Sequence, residues 1–191
     1  MNGAEEIFLK SGAMLKGHFR LTSGLHSPVY WEKFQVMQFP QLTEQLCRMI
    51  AEHYRDRDVQ IVAGPTTGGI ILAHEVGRQM GVRSLYAEKE GEERVFRRGF
   101  SIDPGERVLI VDDIMTTGGS IREVMAAVTQ RGGRVIGIGV LVDRSGSAPD
   151  FGVPLFSCHR AVTTTYRPEE CPLCAGNVPL VTPGSHQTAT A

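Results

Sequence analysis

Residues 107–120, Arg-Val-Leu-Ile-Val-Asp-Asp-Ile-Met-Thr-Thr-Gly-Gly-Ser, constrain this chain more than any other stretch. Residues 108–111 are an unbroken apolar run rich in β-branched side chains, the pattern of a strand buried on both faces of a parallel sheet. Asp112 and Asp113 end that run, at the carboxyl end where open α/β sheets bind their ligands. Thr116, Thr117, Gly118, Gly119 and Ser120 lead from there into the helical spacing Ile121, Val124, Met125, Val128. Such a turn makes a phosphate cradle: glycines let backbone N–H groups face inward, hydroxyls add donors, and the helix start contributes its positive dipole end. The two carboxylates beside it suit ribose hydroxyls or a hydrated Mg²⁺. A glycine pair before a helix is commonly a plain turn, and an aspartate pair commonly a cap. The order strand, acids, cradle, helix is what points to a ligand.

The same rhythm recurs on both sides. Residues 59–63 read as a strand, residues 64–69 (Gly-Pro-Thr-Thr-Gly-Gly) as its loop and residues 70–80 as a helix, so Thr67 and Gly68 belong to a second loop suited to pyrophosphate. A strand over residues 83–87 precedes residues 88–99, where eight of twelve residues are charged. That composition fits either a solvated hairpin or a mobile loop whose cations, Lys89, Arg94, Arg97 and Arg98, close over a pyrophosphate; its place between two strands of a phosphate-binding sheet favours the loop. A further strand, residues 134–142, ends in Asp143-Arg144-Ser145-Gly146. The alternation predicts an α/β fold with a mostly parallel central sheet flanked by helices and joined by right-handed crossovers.

Ahead of this core, residues 5–14 read as a weak helix and residues 17–24 and 27–31 as short strands, which together predict a small N-terminal hood over about residues 1–40. Tyr30 and Trp31 are neighbours on one strand and point to opposite faces, so at most one of them meets a ligand, the competing reading being that both are core. Residues 40–54 carry Leu42, Leu46, Met49 and Ile50 on one helical face. Short strands are expected at residues 151–156 and 163–166. The expected organisation is one domain over residues 1–181, with its core at about 41–160 and a disordered tail at 182–191.

Composition narrows the function classes. A 191-residue chain that is 41% hydrophobic has one substantial core, and its net charge of −1 gives no global basic field for nucleic acid. No apolar run approaches the roughly 20 residues of a membrane span, and Glu5 and Glu6 break any signal-peptide pattern, so a cytoplasmic protein is expected. Four cysteines at uneven spacing suit reduced thiols rather than a disulfide scaffold. Cys171 and Cys174 have the Cys-x-x-Cys spacing of half a tetrahedral zinc site, with Cys158 and His159 or a partner subunit as the expected source of the other ligands. The competing reading is a rigid turn around Pro172 holding two unlinked thiols. Neither gives the pair a catalytic role.

Residues 107–120 resemble the phosphoribosyl pyrophosphate (PRPP) motif of type I phosphoribosyltransferases. Three further stretches, Phe-Arg-Leu-Thr-Ser-Gly-Leu-His-Ser-Pro at 19–28, Ala-Glu-Lys-Glu at 87–90 and Val-Asp-Arg-Ser-Gly at 142–146, resemble the short bacterial form of orotate phosphoribosyltransferases, and the resemblance runs over about residues 8–181. It implies transfer of the 5-phosphoribosyl group from PRPP to orotate, giving orotidine 5-phosphate and pyrophosphate, with Mg²⁺ held through PRPP. Asp112 and Asp113 would hold the ribose and Thr116, Thr117, Gly118, Gly119 and Ser120 the 5-phosphate, with Ile114 and Met115 in the same PRPP motif. Lys89 would bind PRPP, Thr116 and Arg144 would meet orotate, and Tyr30 or Trp31 would stack on the base. The family's enzymes are dimers whose mobile loop reaches the partner's site, which implies a homodimer. This chain departs from the family at Thr22 and Gly68, where many members carry lysine, and in its short loop, where Arg94, Arg97 and Arg98 stand in for the usual lysine and histidine. A purine phosphoribosyltransferase and a PRPP-sensing nucleic-acid-binding regulator are the alternatives; the charge balance counts against the second.

Overall fold

The computed structural model describes residues 3–21, 23–32, 34–146, 149–161 and 164–183. The expected tail lies outside these from residue 184 onward, as do Thr22 and Thr163. The described residues form a six-stranded sheet of order β5-β4-β3-β6-β7-β8: β3 (Ile61–Pro65), β4 (Arg83–Glu90), β5 (Glu93–Val95), β6 (Arg107–Met115), β7 (Arg134–Asp143) and β8 (Leu155–Arg160). All pairings are parallel except that of β4 with β5. The predicted α/β class and mostly parallel sheet are therefore what the chain forms.

Period-two burial divides the sheet's two faces. Val62, Leu109 and Val111 pack in one cluster with Leu46, Ile50 and Tyr54 of α2 (Pro40–Tyr54) and Leu72 and Val76 of α3 (Gly68–Met80). Ile61, Ala63, Val108 and Ile110 pack on the other face against Ile121, Val124 and Val128 of α4 (Gly119–Gln130). Because β3 runs through α3 outward to β4, while β6 runs through α4 the opposite way to β7, strand order reverses between β3 and β6. Ligand crevices of open α/β sheets form at such a switch point, and both Gly-rich loops open there.

The hood consists of α1 (Gly3–Lys10) and an antiparallel hairpin of β1 (Met14–Arg20) and β2 (His26–Trp31). Phe8 and Trp31 meet edge to face at 5.3 Å between centroids and join the α2–α3 side of the core. The last described segment returns to this hairpin: Tyr166 bridges His26 and Val181 bridges Phe19. Between them lie a 3₁₀ turn and the short helix α5 (Pro172–Ala175).

Four boundaries differ from expectation. The acids do not end β6, which runs through them to Met115 because its register with β7 continues to Met115↔Asp143. Residues 88–99 contain a hairpin in which Lys89 pairs with Arg94 and Glu90 with Glu93, turned by Gly91 at φ 60°. The last sheet strand begins at Leu155 rather than at 151, since the proline before it has no N–H to give a ladder. In place of a strand at 163–166, only the Tyr166 bridge forms among the described residues.

Candidate active site

Asp112 and Asp113 are each only 5% exposed, so two carboxylates are buried side by side near the end of a core strand. Local donors hold them: Asp113 N–H donates to Asp112 Oδ1 at 2.8 Å, Ile114 N–H to Asp113 Oδ1 at 2.6 Å, and Ser120 Oγ–H to Asp112 Oδ2 at 2.7 Å. The last bond ties the acid pair to the first turn of α4. Gly118 precedes that helix at φ 78°, and a Cβ there would also lie 2.6 Å from the Phe151 ring, so glycine is needed for both backbone and space. Thr116, Thr117 and Gly119 are exposed around it, leaving the cradle open to a ligand.

Across the switch point, the loop after β3 lies against the acids. Phe34, Pro65, Thr66, Thr67, Gly68, Arg94, Asp112, Asp113, Ile114 and Ser120 line an open cleft of about 300 Å³. Of the residues predicted to bind PRPP, the cleft thus gathers Thr67, Gly68, Asp112, Asp113, Ile114 and Ser120. Lys89, Met115, Thr116, Thr117, Gly118 and Gly119 are not among them; Met115, at 1% exposure, packs in the α4 side of the core.

The cations of residues 88–99 divide. Arg94, its side chain 12% exposed, donates from Nη1 to Thr66 Oγ1 at 3.2 Å and to Ala87 O at 3.2 Å, and from Nε to Glu123 Oε2 at 3.1 Å. Lys89 Nζ donates to the other oxygen of the same carboxylate at 2.9 Å. The Lys89 hydrogen bond, together with the charges of Lys89 and Arg94, holds Glu123 below the usual carboxylate range. Arg97 pairs with Glu90 and Arg98 with Glu88 on the outside of the hairpin, at side-chain exposures of 50% and 64%. The structure therefore places one arginine of the three in the cleft.

Arg144 follows β7, and its N–H donates to Met115 O at 2.8 Å, which fixes it beside the end of β6. Its Nε is buried without a hydrogen-bond partner. Burial lowers the guanidinium pKa, with the Tyr30 phenol acting in the other sense. Trp31 is 7% exposed between Phe8 and His159. The strand alternation thus puts Trp31 in the core and leaves Tyr30 half-buried on the other face, 5.7 Å from the Phe19 ring. Asp143, 2% exposed, accepts from Ser145 N–H and Oγ–H at 2.9 and 2.6 Å and from Arg160 Nε at 3.2 Å, which shapes the turn that carries Arg144.

Sequence reasoning missed Glu123, Thr66 and Phe34. Glu123 had a weak signal, an acid one turn after the cradle; its role depends on partners 29 and 34 positions away. The expected partners of Cys171 and Cys174 also need correction. Cys158 is 2% exposed, donates to Leu46 O at 3.4 Å and has its thiol pKa pushed up to about 12 by burial, while His159 packs against Trp31. The side chains that surround the cysteine pair are His18 and His26.

Residues 35–151 match the model of the phosphoribosyl transferase domain, in agreement with the fold and the cleft at its switch point. The chain is a phosphoribosyltransferase by class. An orotate phosphoribosyltransferase of Pelotomaculum thermopropionicum is 52% identical over 181 residues, covering 95% of each chain, and one of Desulforamulus reducens is 50% identical over 182 residues, again covering 95% of each. The solved orotate phosphoribosyltransferase of Aeropyrum pernix superposes with a TM-score of 0.69 at 27% identity, over 81% of this chain and 92% of that one. This chain belongs to the orotate phosphoribosyltransferase family.

Proposed function

We infer that the protein transfers the 5-phosphoribosyl group of PRPP to orotate, releasing pyrophosphate and forming orotidine 5-phosphate. The observation that carries this reading is one cleft joining a buried aspartate pair, Ser120 of the phosphate cradle and a pyrophosphate-type loop, with Arg144, whose buried Nε has no partner, tied to the end of the same strand β6. Asp112 and Asp113 accept from the ribose hydroxyls, and residues 116–120 hold the 5-phosphate at the start of α4. Arg144 meets the orotate carboxylate by a charge-assisted bond, which supplies the partner its Nε lacks, while Tyr30 covers the base. A ring nitrogen of orotate attacks the anomeric carbon as the bond to pyrophosphate breaks. Arg94 and Lys89 lie on the side of the β3 loop, where the leaving charge develops, and positioning with charge neutralisation supplies the acceleration.

Phosphoribosyltransferases generally use Mg²⁺ with PRPP, and the oxygen-rich donors of this cleft suit a hard cation. When bound, Mg²⁺ supplies charge neutralisation on the diphosphate. Residues 3–39 together with 164–183 act in this reading as the hood of a single domain. A homodimer is supported by exposed Phe34, Phe39 and Ile71 near the cleft and α3, and a cytoplasmic setting by four cysteines that form no disulfide among the described residues, which suits a reducing compartment. No described helix is long and apolar enough to cross a membrane. Mixing the protein with PRPP, Mg²⁺ and orotate should remove orotate absorbance and release pyrophosphate. Consumption of a purine base in place of orotate would overturn the reading.

A further inference from the structure

The hood and the chain's last described segment are joined by four side chains that the transferase reaction does not use. His18, His26 and Cys171 are 2%, 4% and 3% exposed, Cys174 closes the group from its exposed side, and one ligand atom from each lies within 4.8 Å of all the others. The geometry points to a structural zinc site of composition Cys₂His₂, formed by His18 Nε2, His26 Nδ1, Cys171 Sγ and Cys174 Sγ, which clamps the C-terminal segment to the hood hairpin.

The distances fit. With Zn–N of about 2.0–2.1 Å and Zn–S of about 2.3 Å, a tetrahedron has N···N edges of about 3.4 Å and N···S edges of about 3.6 Å. The separations from His18 Nε2 to Cys171 Sγ and Cys174 Sγ are 3.5 and 3.8 Å, and from His26 Nδ1 to Cys174 Sγ 3.3 Å. The two ring nitrogens are 2.9 Å apart, about half an ångström inside the ideal edge, a gap that a small ring rotation opens. Each pair is presented by local structure. His18 and His26 are diagonal neighbours on one face of the hairpin, whose register pairs Phe19 with Ser27 and Arg20 with His26. Cys171 and Cys174 are three residues apart across the first turn of α5.

A second layer agrees with metal binding. His18 Nδ1 lies 2.8 Å from Val178 O, and a carbonyl there can only accept, so Nδ1 carries the proton and Nε2 offers its lone pair to the cluster. Two thiolates with two neutral imidazoles are a donor set that favours zinc. The competing account is a histidine–histidine hydrogen bond beside two ordinary thiols.

The test uses the whole protein, purified without chelator. Zinc analysis should give about one equivalent per chain, and Co²⁺ exchanged into the protein should show the absorption of tetrahedral thiolate coordination. Chelator should lower the melting temperature, zinc but not Mg²⁺ should restore it, and His26→Ala or Cys171→Ser should abolish the zinc response. Less than about a tenth of an equivalent of zinc with Cys171 and Cys174 freely reactive, or a Cys171–Cys174 disulfide in the native protein, would overturn the site. The wild-type metal analysis decides the matter even where a variant fails to fold. It also stands apart from the transferase reading, because it needs neither PRPP nor orotate.

Discussion

The carboxylate of Asp113 occupies the space that a side chain at Gly68 would need: a Cβ built on Gly68 would lie 2.3 Å from Asp113 Oδ2. The pyrophosphate-type loop and the ribose-type acids are thus packed onto each other, and a side chain at Gly68 would have to displace the carboxylate. Gly68→Ala should displace the acid, lowering stability by about 1–3 kcal/mol and kcat/KM for PRPP more than tenfold. Denaturant melts and initial rates check this. Full activity in the variant would show the contact to be soft.

Asp112→Asn combined with Asp113→Asn should lower turnover by about a hundredfold or more with the melting temperature nearly kept, because these carboxylates serve a ligand. A loss of stability matching the loss of activity would make them structural.

Arg144→Ala should raise the KM for orotate by about ten- to hundredfold, the worth of a charged hydrogen bond, with little change for PRPP. Since its buried Nε has no partner in the free protein, the same change should leave the melting temperature unaltered or higher. Equal effects on both substrates would remove Arg144 from the base site.

Arg94→Ala should lower kcat markedly, whereas Arg98→Ala and Arg97→Ala should leave it within about twofold, because both arginine side chains are themselves half or more exposed. Steady-state rates of the three variants settle it. A large loss with Arg98→Ala would return the whole charged segment to the catalytic loop expected from its sequence.

Asp143 offers a pH test. Burial raises its pKa, but hydrogen bonds from Ser145 and Arg160 outweigh that and hold it below the ordinary value of 3.8. Its contribution to stability is therefore fully present above that value and lost as pH falls through the lowered folded one. Asp143→Asn should cost about 1–3 kcal/mol at neutral pH, with the gap to wild type closing below about pH 3.8. A gap independent of pH would mean the charge is unimportant.

Much of this was legible because it is local. The apolar run of β6 and the one-sided pattern of α2 gave their elements directly, and the Gly-rich turns placed the cleft at the strand ends. Residues whose meaning lies in distant partners were not legible. Glu123 reads as an ordinary helix acid until Lys89 and Arg94 are brought to it, and His18 and His26 read as hood residues until Cys171 and Cys174 return over nearly the whole chain. Arg97 and Arg98 look like Arg94 in a charged segment; only the hairpin register separates an inward cation from outward ones.

The bridges from His26 to Tyr166 and from Phe19 to Val181 set an order of assembly. The hairpin that carries Tyr30 leaves the ribosome well before the segments that bridge to it, and such long closures form late. The sheet with its phosphate cradle can be complete while the hood hairpin still waits for the segment that holds Tyr166 and Val181. A nascent chain ending near Ala161 should accordingly take up PRPP and still be blind to orotate.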